Sequence, residues 1–369
     1  MNRLIPFITL CALLLFHCKP TQRPKSFIEK ADSLLQTIPD FSGVVLVANK
    51  GKSVYHRAFG YRNFETKEAN DTTTIFELAS VSKQFTAAII QLLQQEGALA
   101  YDDPIEKYLP RVPYPGITLR HLLNHTSGLP DYQAIMDQHW DKSKVADNND
   151  IIEYLIRYHP PKQFEPGEKY EYSNTGYVLL ASIAEKASGR DFIAMCQASI
   201  FTPLLMTYTN IRTFNEKKSI INFAWGHMYV AEKQRYVRAD SFPSSNYTIW
   251  LGNRKGPGRV SSTTSDLLRW DQALYSERIL TNRSKREAFA PSKLKNDSIS
   301  NYGFGWDLTI DPKLGRVVSH NGDNPGYKTI IVRFVDHNKT IIVLNNNAHA
   351  KFNELVKALT SILSNENEI

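Results

Sequence analysis

The strand-forming runs of this 369-residue chain are split between its two ends, and that split constrains the fold more than any other feature. Gly43-Val44-Val45-Leu46-Val47-Ala48 and Ser53-Val54-Tyr55-His56-Arg57-Ala58-Phe59 read as two strands joined by a tight turn at Lys50-Gly51. Strand patterns return only at 304–310, 317–320, 329–335 and 340–344, the last two linked by Asp336-His337-Asn338-Lys339. Between the two groups the pattern is helical and broken by Pro104, Pro110, Pro113, Pro115, Pro130, Pro160 and Pro161. Amphipathic helices are expected over 26–38, 82–97 and 351–363. These patterns predict an α+β fold in which one sheet is assembled from both termini and a mainly helical lobe is inserted. The sheet parts fall at about 26–75 and 300–369, and the lobe at about 76–299. A chain of this length exceeds one ordinary compact core, so a large two-lobed domain or two domains is expected.

The first 18 residues are expected to lie outside that fold. Arg3 precedes an apolar stretch over 4–16, too short to span a bilayer but suited to an export signal. The run ends in Leu15-Phe16-His17-Cys18 followed by the polar Lys19-Pro20-Thr21-Gln22, which resembles a bacterial lipoprotein signal. That resemblance implies lipidation of Cys18 and attachment to the cell envelope, with residues 19–25 as a tether and secretion as the alternative. Only Cys18 and Cys196 would then remain, so no intramolecular disulfide is expected and stability rests on the core. The net charge is +7, and the densest basic segment, 283–295, lacks the interleaved aromatic residues of a nucleic-acid groove. A nucleic-acid partner is not expected.

Four stretches carry residues suited to chemistry. Ser80-Val81-Ser82-Lys83 opens an apolar-periodic helix, and residues three apart share a face. An amine kept neutral by burial or nearby positive charge can serve as base for a serine hydroxyl. Ser82 reads as local support. S-x-x-K arises by chance roughly once or twice in a chain this long, and Ser292-Lys293-Leu294-Lys295 is a second copy without a helix behind it. Tyr172-Ser173-Asn174 lies in a polar loop before another apolar run; a phenol beside a lysine can take part in proton transfer. His320-Asn321-Gly322-Asp323 ends a predicted strand, where a glycine would let a substrate backbone approach closely. His121 and His125 are four apart, but no glutamate stands between them as in H-E-x-x-H and no third ligand is apparent, so no metal site is predicted.

Taken in order, S-x-x-K, Y-x-N and H-x-G resemble the serine β-lactamase and penicillin-binding-protein superfamily, in its class C-like branch. The stretches His121–Tyr132, Gly256–Trp270 and Tyr302–Trp306 are similar to connecting segments of that branch, and the likeness runs over about 26–365. It implies an antiparallel sheet flanked by helices, with the active site between sheet and lobe. It also implies acyl transfer without metal or organic cofactor. Ser80 is then the nucleophile, Lys83 and Tyr172 manage protons, and the N–H groups of Ser80 and Asp323 form an oxyanion hole. Asn174, His320 and Gly322 orient substrate, and Tyr132 falls near the place of a substrate-binding glutamine. The family's K-T-G or H-T-G threonine is replaced by Asn321. An ester or a peptide-like amide, including small or peptidoglycan-derived substrates, is therefore expected ahead of a β-lactam. The alternative is a non-catalytic envelope protein that keeps the scaffold for binding.

Overall fold

The computed structural model describes residues 26–365. The export signal, Cys18 and the tether lie outside them. Helix α1 (Phe27–Gln36) begins with a capping box at Ser26 and Glu29. It leads into a hairpin of β1 (Gly43–Asn49) and β2 (Lys52–Phe59). Helix α2 (Lys83–Gln95) and helix α3 (Asn174–Ser188) follow in the inserted part, with α4 (Thr264–Ala273) near its end. The chain then returns to strands: β3 (Asp307–Asp311), β4 (Gly315–Asn324), β5 (Tyr327–Phe334) and β6 (Lys339–Asn345), before α5 (Phe352–Ser364).

All six strands form one antiparallel sheet in the order β3-β4-β5-β6-β1-β2. The termini meet where β1 pairs β6, from Gly43 opposite Asn345 to Asn49 opposite Lys339. Strand β1, flanked by β6 and β2, is buried on both faces, which explains its unbroken apolar run. Val45 and Val47 pack with Phe27, Leu35, Leu355 and Leu359 of α1 and α5. Val44 and Leu46 face the other way, into the core shared with Phe85, Ile89 and Trp270 of α2 and α4. The period-two alternation of a strand thus assigns each residue to one of two helical layers.

Two sequence expectations change here. The strand expected from 304 begins only at Asp307, because Phe304-Gly305-Trp306 forms a turn with Gly305 at φ +78°. A Cβ on Gly305 would lie 3.0 Å from the Lys83 carbonyl oxygen, so this turn is packed beneath the start of α2. The inserted region is also less purely helical than its pattern. Phe76–Glu77, Val260–Ser262 and Asn210–Ile211 form a small three-stranded sheet, and His227–Val230 pairs Arg235–Arg238.

Candidate active site

The small sheet aims the S-x-x-K segment. Phe76 and Glu77 pair with Ser262 and Ser261, and the Leu78 N–H donates to the Val260 carbonyl. Ala79 then takes φ +49°, a left-handed conformation that costs a non-glycine residue about 1–2 kcal/mol. Ser80 follows within a single 3₁₀ turn, Ala79–Ser82, and Lys83 begins α2. Residues three apart eclipse in a 3₁₀ turn, so Ser80 and Lys83 are stacked more directly than on an α-helix face. Ser82 points away and accepts from the Val260 N–H at 3.1 Å, the supporting role its spacing suggested.

Lys83 is fully buried with three oxygens around its Nζ: Ser80 Oγ at 3.1 Å, Asn174 Oδ1 at 2.8 Å and the Pro257 carbonyl at 2.9 Å. A neutral amine has two N–H bonds and one lone pair. Asn174 Oδ1 and the Pro257 carbonyl can only accept, which leaves the lone pair for the Ser80 O–H. Burial drives the Lys83 amine well below its ordinary value, and the positive charge of Arg254 pushes the same way. The Pro257 carbonyl reaches Lys83 because Gly256, at φ +108°, lets the loop close on α3. A Cβ there would fall 2.0 Å from the Tyr177 carbonyl oxygen. Thr86 fixes the same loop by donating to the Gly256 carbonyl at 2.7 Å.

Tyr172 and Asn174 flank Ser173, whose Oγ caps α3 by accepting from the Gly176 N–H. The Tyr172 ring centroid is 4.6 Å from Lys83 Nζ, and its phenol interacts with the Ser80 side chain. Burial raises the phenol above its ordinary value and the Ser80 interaction opposes this. The side chain keeps 38 % of its surface exposed, so water moderates the rise. His125 holds this loop from both sides: its carbonyl accepts from the Glu171 N–H at 2.9 Å and its Nδ1 from the Ser173 N–H at 3.0 Å. Its ring lies 4.3 Å from Tyr172 and 4.6 Å from Tyr302. His121 is spent on a helix cap, its Nδ1 accepting from the Thr118 N–H. The two histidines thus have structural duties that their spacing did not reveal.

The fourth side of the site is β4. Its pairing with β3 stops at Ser319 opposite Asp307, so residues 320–324 have no β3 partner. His320 is buried; its Nδ1 contacts the Asn321 carbonyl at 2.6 Å and its Nε2 the Tyr302 hydroxyl at 2.8 Å. A carbonyl only accepts, which places the His320 proton on Nδ1 and makes Tyr302 the donor to Nε2. Burial, then the nearby Lys83, brings His320 down to about 3, so it is neutral at ordinary pH. Tyr302 completes the site and was not singled out from sequence, although it opens the recognised Tyr302–Trp306 segment.

Gly322 corrects an expectation. What approaches it is the protein's own backbone: a Cβ would lie 2.2 Å from the Leu78 carbonyl oxygen and 3.1 Å from Ala79 Cβ. Thr329, opposite Gly322, donates to the same Leu78 carbonyl at 2.7 Å. Gly322 therefore seats the Ser80 turn against β4, and Asp323 follows it along the edge. Tyr132 is a second correction. It is 1 % exposed, its N–H donates to Thr175 Oγ1 at 3.0 Å, and its phenol faces Arg254, so it braces the wall and offers substrate no open surface. Ser292 lies in a two-residue strand rather than a helix, which separates it from Lys295. A cavity of about 750 Å³ lined by Arg111, Glu153, Glu185 and Asp191 contains none of the residues gathered around Ser80, so volume does not mark this site.

Arg254 had no sequence signal. It is 9 % exposed, and its Nε and Nη1 find no acceptor among the described residues. With Lys217 and Arg259 it acts on the buried Glu77, and of the three Arg254 is the one whose charge reaches Lys83.

Comparison with known proteins places this geometry. The chain is 46 % identical over 309 residues to penicillin-binding protein 4* of Bacillus subtilis, covering 83 % of this chain and 68 % of that protein. It is 26 % identical to a D-aminopeptidase of Cereibacter sphaeroides, covering 90 % of this chain and 63 % of that longer protein. Among solved structures, D-amino acid amidase from Ochrobactrum anthropi complexed with L-phenylalanine amide superimposes with TM-score 0.76 at 26 % identity, covering 93 % of this chain and 98 % of that one. The family profile described as Beta-lactamase matches residues 31–362, and the chain belongs to that family.

Proposed function

We propose that the protein is a serine hydrolase that cleaves an ester or a peptide-like amide through an acyl-enzyme on Ser80. The observation that carries this reading is the placement of Lys83 Nζ between Ser80 Oγ and two acceptor-only oxygens, in a setting that keeps the amine neutral. Ser80 Oγ attacks the carbonyl carbon while its proton passes to Lys83. The N–H groups of Ser80 and Asp323 receive the developing oxyanion. The proton reaches the leaving oxygen or nitrogen through Tyr172, whose ring covers Lys83 and whose phenol meets Ser80. Water then attacks the acyl-enzyme by the reverse route and frees Ser80. His320 and Tyr302 hold the edge of the site, and Asn174 fixes the lysine. With Asn321 in place of the family's threonine, esters and D-amino-acid peptides or amides rank above β-lactams. The names of the D-aminopeptidase and D-amino acid amidase relatives support that order.

A fluorophosphonate probe is expected to label the wild-type protein and not Ser80→Ala. An unlabelled, folded wild type that is also inert to aryl esters, nitrocefin and D-alanyl peptides would mean that the scaffold serves binding alone. We also propose that Cys18 is lipidated and holds the enzyme at the cell envelope, with small or peptidoglycan-derived substrates. Incorporation of labelled palmitate should be lost in Cys18→Ser; equal incorporation would exclude that anchor.

A further inference from the structure

Beyond the contact of Gly322 with Leu78, a second tie joins the Ser80 turn to β4. Asn324, the last residue of β4, donates from Nδ2 to Glu77 Oε1 at 2.9 Å. The other carboxylate oxygen, Oε2, accepts from Lys217 Nζ, and Glu77 and Lys217 are both buried. One oxygen of Glu77 thus meets a charge and the other meets the sheet edge. A carboxylate only accepts, which fixes the Asn324 amide with its nitrogen toward Glu77. Hydrogen bonds to an ionised acceptor are roughly twice as strong as neutral ones.

Both ends of this bond lie beside the N–H groups assigned to the oxyanion. Between Glu77 and Ser80 stand only Leu78 and the left-handed Ala79, and Asn324 follows Asp323 directly. Alternate residues of an antiparallel strand turn their N–H away from the paired strand. Asn324 and Tyr327 close the two-residue turn Pro325-Gly326, so Asp323 is the residue whose N–H faces the side without a β3 partner.

An oxyanion hole works because its donors are fixed before the charge develops. These two donors come from segments far apart in the chain, so their separation depends on the ties between the segments. Thr329 Oγ1 donates to the Leu78 carbonyl at 2.7 Å behind Gly322, and Asn324 holds Glu77 at the far end of the strand. The turn itself is braced toward the same region. Tyr327 donates to the Ala224 carbonyl at 2.9 Å, and the Ala224 N–H donates to the Ile75 carbonyl at 2.8 Å.

We propose that Glu77 and Asn324 are positioning residues that set the separation of the Ser80 and Asp323 N–H groups. They act on the transition state and leave substrate binding nearly unchanged. This rests on the reading of Ser80 as nucleophile. In this role neither side chain touches substrate, and no bond is made or broken at the pair.

The test exchanges donor and acceptor. Asn324→Asp sets a second carboxylate against Glu77. Glu77→Gln, with its oxygen kept on Lys217, sets an amide N–H against the Asn324 amide. Combined, the two changes restore one amide-to-carboxylate bond in the opposite sense. A donor displaced by about 1 Å costs up to about a hundredfold in rate. With p-nitrophenyl acetate, each single variant should lose about tenfold or more in kcat, with KM within about twofold of wild type. The double variant should recover kcat to within about threefold. Fluorophosphonate labelling of Ser80 places a phosphoryl oxygen where the oxyanion forms, and its rate should fall and recover in parallel. Urea unfolding of the same proteins separates this from a loss of stability. Single variants that are less stable but keep the wild-type kcat, or a folded double variant as slow as the singles, would overturn the positioning role and leave the hydrolase intact. Asn324 is partly exposed, so Asn324→Ala removes the bond without adding charge should a single variant not fold. It should show the same loss in kcat, and an unchanged kcat would again overturn the role. A wild type that neither hydrolyses the ester nor takes the label would remove the catalytic reading, and the role of the pair with it.

Discussion

In the proposed mechanism Lys83 accepts a proton from Ser80 near neutral pH, where an exposed lysine is almost fully protonated. Two features lower its amine: complete burial, which is the larger, and the charge of Arg254. Replacing Arg254 by Gln removes one of them, so the Lys83 pKa rises and a smaller fraction is neutral at any given pH. The acid limb of the kcat/KM profile should move upward by about 0.5–1 pH unit. A limb that stays put would show that burial alone sets the amine. Lys83 and its stacking on Ser80 were legible in the sequence because spacing of three is a local property. Arg254 was not, since a single arginine in a loop carries no signal until the fold places it behind the lysine. His125 was read as half of an unfilled metal pair and as part of a connecting segment, with no role of its own, yet its backbone and ring both hold the Tyr172 loop.

At the level of elements, the site is a junction between one short turn and one sheet edge. The 3₁₀ turn carrying Ser80 is held by Ser82 on one side and by the Gly322–Thr329 pair on the other. Gly322→Ala would place a methyl 2.2 Å from the Leu78 carbonyl oxygen, and backbone cannot yield there as a flexible side chain would. We expect a loss of about 1–3 kcal/mol of stability in urea unfolding and at least tenfold slower fluorophosphonate labelling of Ser80. Wild-type values for both would refute the seating role. The glycine was visible in the sequence, but its partner was not. Strand β4 and the Ser80 turn meet only after most of the chain has intervened. The same reasoning accounts for Phe304-Gly305-Trp306, whose strand-like composition yields to the packing of Gly305 beneath Lys83.

The whole molecule depends on fastening the inserted region to a sheet built from both termini. Arg333 of β5 and Asp271 of α4 form a fully buried pair at 2.6 Å, and Thr340 of β6 donates to the other Asp271 oxygen at 2.8 Å. Arg333→Met would strand the Asp271 charge and should cost about 3–5 kcal/mol in urea unfolding. Adding Asp271→Asn should recover part of it; no recovery would mean that the arginine acts through its packing against Tyr275 and Trp306. The two-ended sheet, its enclosing helices and the order of Ser80/Lys83, Tyr172/Asn174 and His320/Gly322 could all be read from the amino acids. Strand alternation, helical period and motif spacing are rules that act over a few residues. The burial of Tyr132, the neutral state assigned to Lys83 and the contact that demands Gly322 belong to the folded chain. Desolvation and close contact are set by neighbours distant in sequence, which local patterns do not encode.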